Sequence, residues 1–141
     1  MSARTVSTKK TFEDVEFGED LPETRPDISL DNVKLFARSA LMLASRFVDH
    51  DAAREAGLPG AIVPGIMSQG ILVALIHQWA PNAKILNIDT IFRAPLIVDT
   101  KPVANGVVTD IDEESKVIEI DLMLKNEKGE TPVVGTARIS L

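Results

Sequence analysis

"GAIVPGIMSQGILVALIHQWAP", residues 60–81, contains the longest apolar run of the chain. Its apolar residues cover most of the circumference of a helix, which is typical of a helix enclosed by its own domain. Pro64 fits the first helical position, where a backbone N–H has no partner inside the helix, and Pro81 ends the helix. The sequence therefore predicts a buried central helix from about Pro64 to Ala80.

Small residues are concentrated at the start of this helix. A glycine inside a helix lowers the stability of the helix by about 1 kcal/mol relative to alanine. We therefore expect another backbone to lie close to Gly70, and a strand in preference to a ligand. The first N–H groups of a helix lack internal partners and carry the positive end of its dipole. Two readings of the start at Gly65 stay open: a plain helix start capped by water or a partner chain, or a site for a ligand carbonyl.

The chain after the helix is predicted to form strands. Four runs alternate apolar with polar residues, and they are joined by short polar links: 84–95, 101–112, 116–126 and 132–141. Short links between long strands indicate an antiparallel sheet. A sheet with one apolar face buries itself by wrapping the central helix, which gives an α+β domain of the hotdog type.

Shorter elements are predicted ahead of the central helix. Residues 12–17 fit a short first strand, with a turn after it. A helix capped by Asp27 or Ser29 carries apolar residues at helical spacing as far as Ala44. A second, shorter helix follows and ends at Gly57.

Composition limits the classes of function. The 141 residues suit one domain, which we assign to residues 12–141 after a flexible tail, residues 1–11. A net charge of −6 argues against a nucleic-acid surface, although a local basic cluster would still accept a small anion. No apolar run is long enough to span a membrane, and the absence of cysteine suits a reducing compartment, so we expect a cytoplasmic protein.

Several segments, in order, resemble the MaoC-like hotdog proteins, which include (R)-specific enoyl-CoA hydratases and hydroxyacyl dehydratases. "GLPGAIVPGIMSQGILVALIHQWAP" is similar to the family's central-helix segment, and the other matching stretches are "FEDVEFGEDLPE", "LDNVKLFA" and "IFRAPLIVDTKPVANGVV". The resemblance implies a hotdog fold, an acyl-CoA or acyl-carrier thioester as ligand, and a homodimer or a heterodimer with a second MaoC-like chain. It implies no cofactor.

The family's acid–base pair is where this sequence departs from the resemblance. The family places an aspartate, four residues and a histidine ahead of a pattern that Asp49, Ala53 and Gly57 satisfy here. An ungapped alignment puts Met42 at the aspartate position and Phe47 at the histidine position. Neither side chain accepts or donates a proton, so the chain has the residues that surround the family's site but lacks its aspartate–histidine pair. We expect both side chains to face the ligand cleft.

The resemblance also assigns a substrate-binding segment. In the family, the backbone N–H that matches Gly65 polarises the thioester carbonyl, in the manner of an oxyanion hole. Pro64 stands where the family has a further histidine. The segment expected to bind substrate is Pro64, Gly65, Ile66, Met67 and Ser68.

Two other groups are candidates for chemistry. His50, beside Asp49, is either a replacement acid–base group or part of a solvated loop and helix cap. Arg93, at a strand end, is either a contact for the phosphates of coenzyme A or an ordinary surface residue. No P-loop, dinucleotide turn or metal-ligand cluster is present in the sequence, so we expect no cofactor and no metal.

Three functions follow from these residues. The first is the acyl-binding subunit of a hotdog pair, a MaoC-like hydratase or dehydratase homologue whose partner carries the dyad. The second is an active (R)-enoyl-CoA hydratase that uses Asp49 and His50 instead. The third is a hotdog acyl-CoA thioesterase in which Asp49 or Glu55 activates water.

Overall fold

The computed structural model describes residues 9–141, which form one α+β unit. A short 3₁₀ helix at Phe12–Asp14 precedes four helices, α1 (Leu30–Ser39), α2 (Ser45–Val48), α3 (His50–Glu55) and α4 (Gly65–Trp79), and four strands, β1 (Lys84–Phe92), β2 (Val103–Asp112), β3 (Val117–Lys125) and β4 (Val133–Ser140). No helix in this part of the chain is long and apolar enough to cross a membrane.

The strands form one antiparallel sheet in the order β1-β4-β3-β2. Alternate side chains of β3 and β4 point to the inner face, where α4 packs. The predicted antiparallel sheet with a central helix is therefore confirmed. The fully buried inner residues include Ile118, Ile120, Leu122, Leu124, Ala137 and Ile139.

Helix α4 is buried on one side only, so the prediction of a helix enclosed all round is wrong for the single chain. Leu72, Leu75 and Ile76 are buried against the sheet, whereas Ile66 is 55% exposed on the opposite face. A Cβ added to Gly70 would meet nothing within 4 Å, so the expected close backbone is absent among the described residues. The sheet covers half of the helix and leaves its other face open.

Pro64 is the N-cap of α4 and is not its first helical residue. Its backbone is extended, with φ −55° and ψ 139°, while its carbonyl accepts hydrogen bonds from the Met67 and Ser68 amides. The proline ring fixes φ but leaves ψ free. The helix therefore begins one residue later than predicted, at Gly65.

The elements ahead of α4 differ from prediction in two places. Residues 12–17 contain the 3₁₀ helix, because the Asp14 side chain accepts hydrogen bonds from the Thr11 amide and hydroxyl and closes a turn. Helix α1 is capped by Ser29 as predicted, but it ends at Ser39, before Ala44.

The segment before α1 lies along β2 and the end of α4. Residues 1–8, most of the predicted flexible tail, lie outside the described residues, while Lys10 exchanges two hydrogen bonds with Asn82. Single bridges join Asp20 to Val107 and Thr24 to Ala104, so this segment covers the outer edge of β2. The opposite edge of the sheet, β1, has no neighbouring strand among the described residues.

Candidate functional site

A cleft of about 340 Å³ opens at the start of α4. Its walls come from the segment before the helix, the first helical turn and the chain that follows β1. The residues that line it are Ile62, Val63, Gly65, Ser68, Phe92, Arg93, Ala94, Pro95, Leu96 and Val133. Most of these side chains are apolar, which suits an acyl or pantetheine group.

Backbone N–H groups at the helix start have no acceptor within the described chain. The Met67 and Ser68 amides donate to the Pro64 carbonyl, whereas the Gly65 and Ile66 amides make no hydrogen bond to any residue from 9 to 141. Gly65 itself lines the cleft. A positive helix end with uncommitted donors attracts a carbonyl oxygen or an anion.

Ser68 adds a polar side chain to the same wall. It is only 1% exposed and is one of the residues that line the cleft. Ser68 lies one turn after Gly65, which places a side-chain donor beside the backbone donors.

Phe92 covers the helix start. A Cβ built on Gly65 would lie 3.1 Å from the tip of the Phe92 ring, so the ring rests directly against the glycine backbone. The Phe92 side chain is 53% exposed and has room to move. Any residue larger than glycine would displace the ring and narrow the cleft.

Arg93 stands at the rim of the cleft. Its amide donates to the Pro132 carbonyl, which fixes the backbone, and the residue is exposed. Within residues 9–141 no carboxylate lies within salt-bridge distance of its guanidinium. The rim thus has a cation that is free to meet an anionic ligand group.

The structure brings together only part of the predicted binding segment. Gly65 and Ser68 line the cleft, and Pro64 is buried as the cap. Ile66 points outward, and Met67 is 7% exposed and packs in the core. The cleft wall also includes Phe92, which the prediction omitted, although its place next to Arg93 in the resembling "IFRAP" stretch pointed to it.

Met42 and Phe47 are not among the residues that line this cleft. Met42 is half-buried beyond the end of α1, and Phe47 is 7% exposed beneath the Arg46 guanidinium, 4.6 Å from its ring. The Arg46 carbonyl accepts a hydrogen bond from the Ile62 amide, and Ile62 lines the cleft. Helix α2 is therefore tied to the cleft wall through its backbone.

His50 is held by two hydrogen bonds. Nε2 lies 2.8 Å from Asp99 Oδ2, and Nδ1 accepts from the Ala61 amide at 3.0 Å. Since Nδ1 is the acceptor, the ring proton resides on Nε2 and is donated to Asp99. Both nitrogens are engaged, which favours a structural role for His50 over proton transfer to a substrate.

Asp99 and Asp49 are likewise engaged with the backbone. Asp99 also accepts from the Leu30 amide; the hydrogen bond from His50, and secondarily that from Leu30, lowers the pKa of the Asp99 carboxyl below its usual value. Asp49 caps α3 by accepting from the Ala52 amide. The cap reading of Asp49 therefore fits its geometry.

A larger cleft, about 460 Å³, lies beside the start of α1. Its carboxylates already accept backbone hydrogen bonds, Asp27 from the Ser29 amide and Asp99 from the Leu30 amide. The smaller cleft at the start of α4 has the uncapped amides of a long helix in its wall, so it is the better candidate for a site that binds a carbonyl group.

Comparison with solved structures identifies the fold. The chain is similar to the (R)-hydratase from A. caviae involved in PHA biosynthesis (TM-score 0.86, 19% identity, covering 92% of this chain and 98% of that one). It is also similar to a chain of the ChsH1-ChsH2 complex from Mycobacterium tuberculosis (TM-score 0.82, 20% identity, 89% and 98% covered). A MaoC-like dehydratase from Rhodospirillum rubrum aligns with TM-score 0.77 and 16% identity (92% and 94% covered).

The chain thus has the hotdog fold of MaoC-like dehydratases and (R)-hydratases. No protein-family profile matches its sequence. A search of curated proteins found no significant sequence match.

Proposed function

We propose that this chain is the thioester-binding subunit of a MaoC-like hydratase or dehydratase pair. The observation that carries the proposal is the cleft at the start of α4, where the Gly65 and Ile66 amides have no acceptor in the described chain and the Ser68 side chain lies in the same wall. These groups suit a thioester carbonyl, whose oxygen gains negative charge when water adds to or leaves the conjugated acyl chain.

The chemistry of proton transfer is assigned to a partner. An ungapped alignment with the family puts Met42 and Phe47 at the positions of its acid and base, and neither side chain has a titratable group. His50 has both nitrogens committed to Asp99 and Ala61. A second hotdog chain with an intact aspartate–histidine pair would complete the reaction.

The open edge of the sheet supports a paired state. Strand β1 presents nine residues of backbone that no described strand covers, and Leu86, Ile91 and Phe92 on it are each between 46% and 59% exposed. The outward face of α4, with Ile66 at 55% exposure, is also apolar. Unprotected strand edges and apolar faces of this kind are typical of interfaces between chains. The similar chains include members of heteromeric complexes, ChsH1-ChsH2 and HadBC.

The test is a calorimetric titration of the purified chain with crotonyl-CoA. We expect binding without turnover by the chain alone. Gly65→Val should weaken binding at least tenfold, since the added side chain would occupy space between the helix start and the Phe92 ring, both of which belong to the cleft wall. Gly65 lies in the helix and its neighbour is an exposed ring, so the variant should remain folded in a thermal melt.

Gly70→Val is the matched control for this titration. It lies on the same helix, where a Cβ meets nothing within 4 Å, so it adds the same side chain without contacting the Phe92 ring. It should bind crotonyl-CoA within twofold of the wild type. Equal affinity in both variants would reject the cleft as the thioester site, and turnover by the wild-type chain alone would reject the role as a non-catalytic subunit.

A further inference from the structure

The His50 ring holds the start of one wall of the cleft at the start of α4. Its Nδ1 accepts a hydrogen bond from the Ala61 amide at 3.0 Å, and its Nε2 lies 2.8 Å from Asp99 Oδ2. Ala61 directly precedes two residues of the cleft wall, Ile62 and Val63. One side chain on α3 therefore fixes the backbone from which this wall continues.

The two segments that the ring contacts are also paired with each other. The Val63 amide donates to the Leu96 carbonyl, and the Val98 amide donates to the Ala61 carbonyl. So short a ladder is marginal without further contacts. The His50 ring adds one hydrogen bond to each segment at the same end of the ladder.

The hydrogen bond from Ala61 requires a neutral ring. An imidazole accepts at Nδ1 only while its proton is on Nε2, and the protonated ring has an N–H donor at both nitrogens. Protonation would therefore set Nδ1–H against the Ala61 N–H, with no acceptor between them. A Cβ built on Gly60 would lie 2.9 Å from Nδ1, so the ring already packs directly against this backbone. The Ala61 amide has to move away from a protonated ring.

Asp99 is the carboxylate in contact with the ring. Hydrogen bonds from His50 and, secondarily, from Leu30 lower the pKa of Asp99. Its carboxylate therefore stays ionised between about pH 5 and 8, the range in which imidazole groups titrate. An ionised partner binds a protonated ring more strongly than a neutral one, so the ring stays at Asp99 in both states. The cleft beside α1 that contains Asp99 has three further charged residues, Arg25, Asp27 and Lys101.

The other elements beside the ring present few groups that could titrate in its place. On α3 itself, Asp49 accepts a backbone hydrogen bond as the helix cap, and Asp51 Oδ1 lies 3.4 Å from Arg54 Nη1. Residues 56–63 have no titratable side chain. The His50 ring is therefore the group whose titration changes the contact with the cleft wall.

We propose that His50 positions the wall of the thioester cleft only while its ring is neutral, so that protonation releases the Ala61 amide and lowers the affinity for the thioester. This inference rests on the proposed function, because it takes the cleft at the start of α4 as the thioester site. His50 acts through Ala61 and is a positioning residue. Proton uptake by the ring and thioester binding are then linked, and each disfavours the other.

The test is a calorimetric titration of the wild type and His50→Asn with crotonyl-CoA at about pH 8 and about pH 5.5, on either side of the usual imidazole titration. The asparagine amide oxygen is bonded to Cγ, as Nδ1 is, so it can accept from Ala61 without taking up a proton. Relative to His50→Asn, the wild type should lose about fivefold or more in affinity at the lower pH, as the binding-competent fraction falls. The comparison cancels the titration of the ligand's own phosphate, which affects both proteins equally.

His77→Asn is the matched control, because the chain has two histidines. The His77 ring contacts the Ala83 carbonyl at the end of α4 that is opposite the cleft. This variant should keep the pH dependence of the wild type. Hydrogen exchange of the Ala61 amide, corrected for the intrinsic effect of pH, gives a second readout that needs no ligand. Its protection should fall on acidification in the wild type and stay unchanged in His50→Asn.

The inference is overturned if the affinities of the wild type and His50→Asn change with pH in parallel. Loss of the pH dependence in His77→Asn would assign it to the other histidine. Constant protection of the wild-type Ala61 amide would also overturn the inference, and this result does not depend on the folding of any variant. If crotonyl-CoA binds at neither pH, the proposed function fails, whereas exchange at Ala61 still decides whether protonation of His50 releases the wall.

Discussion

Gly57 and Leu41 occupy equivalent backbone positions, just after the ends of α3 and α1, and both have positive φ. After α3, the Gly57 amide bonds to the Arg54 carbonyl and the Leu58 amide to the Ala53 carbonyl, with Gly57 at φ 92°. This is the Schellman arrangement, which needs a left-handed residue. A helix end of this kind can be predicted from the sequence, because a glycine occupies the left-handed position.

Leu41 takes that position at the end of α1. Its amide bonds to the Arg38 carbonyl, the Met42 amide bonds to the Ala37 carbonyl, and Leu41 itself has φ 57°. A β-carbon is strained in this conformation by about 1–2 kcal/mol. Because leucine gives no stop signal, the apolar spacing predicted a helix that continued to Ala44.

We expect Leu41→Gly to raise the free energy of unfolding by about 1 kcal/mol, the relief of strain being partly offset by the greater freedom of glycine in the unfolded chain. Leu41 is 80% exposed, so little buried area is lost. Urea unfolding measures the change. Gly57→Ala is the opposite control and should lower stability by about the same amount; a loss of stability in Leu41→Gly would show that the leucine side chain has a partner.

The His50–Asp99 pair predicts a stability that depends on acid pH. Hydrogen bonds from His50 and Leu30 lower the pKa of Asp99 in the folded state. A lowered carboxyl pKa stabilises the fold above the unfolded value of about 3.9, and that contribution is lost as pH falls through the folded pKa. Asp99→Asn, which tolerates the φ of 67°, should be less stable than the wild type near about pH 7.

The difference between wild type and Asp99→Asn should shrink as pH falls below about 4, where the carboxyl of the unfolded chain takes up a proton, and should be lost once pH falls below the lowered pKa of Asp99 in the folded state. Thermal unfolding of both proteins across this range gives the measurement. Because the Asp99 side chain is 49% exposed, solvent screening keeps the effect modest. A difference that stayed constant down to the lowest pH would mean that the charge on Asp99 does not contribute.

At the scale of elements, the periodicity of apolar residues and the helix-capping residues predicted much of the secondary structure. The alternation of residues 84–141 gave the strands, and Ser29 gave the start of α1, because these signals lie within a few neighbouring residues. The 3₁₀ helix at Phe12–Asp14 was missed because Phe12 and Val15, both buried, fit a short strand as well as a turn. The spacing of Thr11 and Asp14, typical of a capping box, was the signal available.

The candidate site was predicted only at its centre. Gly65 and Ser68 belong to one helical turn, so their proximity follows from local geometry. Phe92 comes from another element, and its contact with Gly65 depends on how the end of β1 turns over the helix. Hydrophobic pattern places a residue on a face but does not give the distance between two elements.

Gly135 is required by close packing between two strands, whereas Gly70 is not required by packing within the described chain. A Cβ on Gly135 in β4 would lie 2.9 Å from the Asp89 carbonyl oxygen in β1, and backbone does not yield easily. We expect Gly135→Ala to lower the free energy of unfolding by about 1–3 kcal/mol. Gly70→Ala in α4 meets open space and should raise it by up to about 1 kcal/mol. Urea unfolding of both variants at low protein concentration provides the measurement, and destabilisation by Gly70→Ala would show that another chain packs against this face.

At the scale of the whole molecule, the single chain exposes apolar surfaces that a second chain would cover. The open face of α4 and the uncovered edge of β1 are both apolar and exposed. The N-terminal segment, in contrast, covers the opposite edge of the sheet along β2. The fold protects one edge of its sheet by itself and leaves the other for pairing.

We expect the fold to support hydration of an enoyl thioester once an acid–base pair is introduced. In Met42→Asp/Phe47→His the histidine would take a proton from water, the hydroxyl would add to C3 of crotonyl-CoA, and a proton would return to C2. The thioester carbonyl would be polarised at the Gly65 amide. Slow loss of the enoyl thioester absorbance is the expected result, in a variant less stable than the wild type because Phe47 is buried.

Three controls make this prediction decisive. Met42→Asp alone should be inactive, since the aspartate cannot replace the histidine as base. Phe47→His alone should also be inactive, since no aspartate orients its histidine. Adding Gly65→Val to the double variant should abolish the new activity while the thermal melt stays unchanged. Activity that survives Gly65→Val would mean that the reaction does not use the cleft at the start of α4. A double variant that folds, binds crotonyl-CoA and shows no hydration would mean that residues 42 and 47 do not face that cleft, even in the paired state, and that the alignment placing the dyad there is wrong.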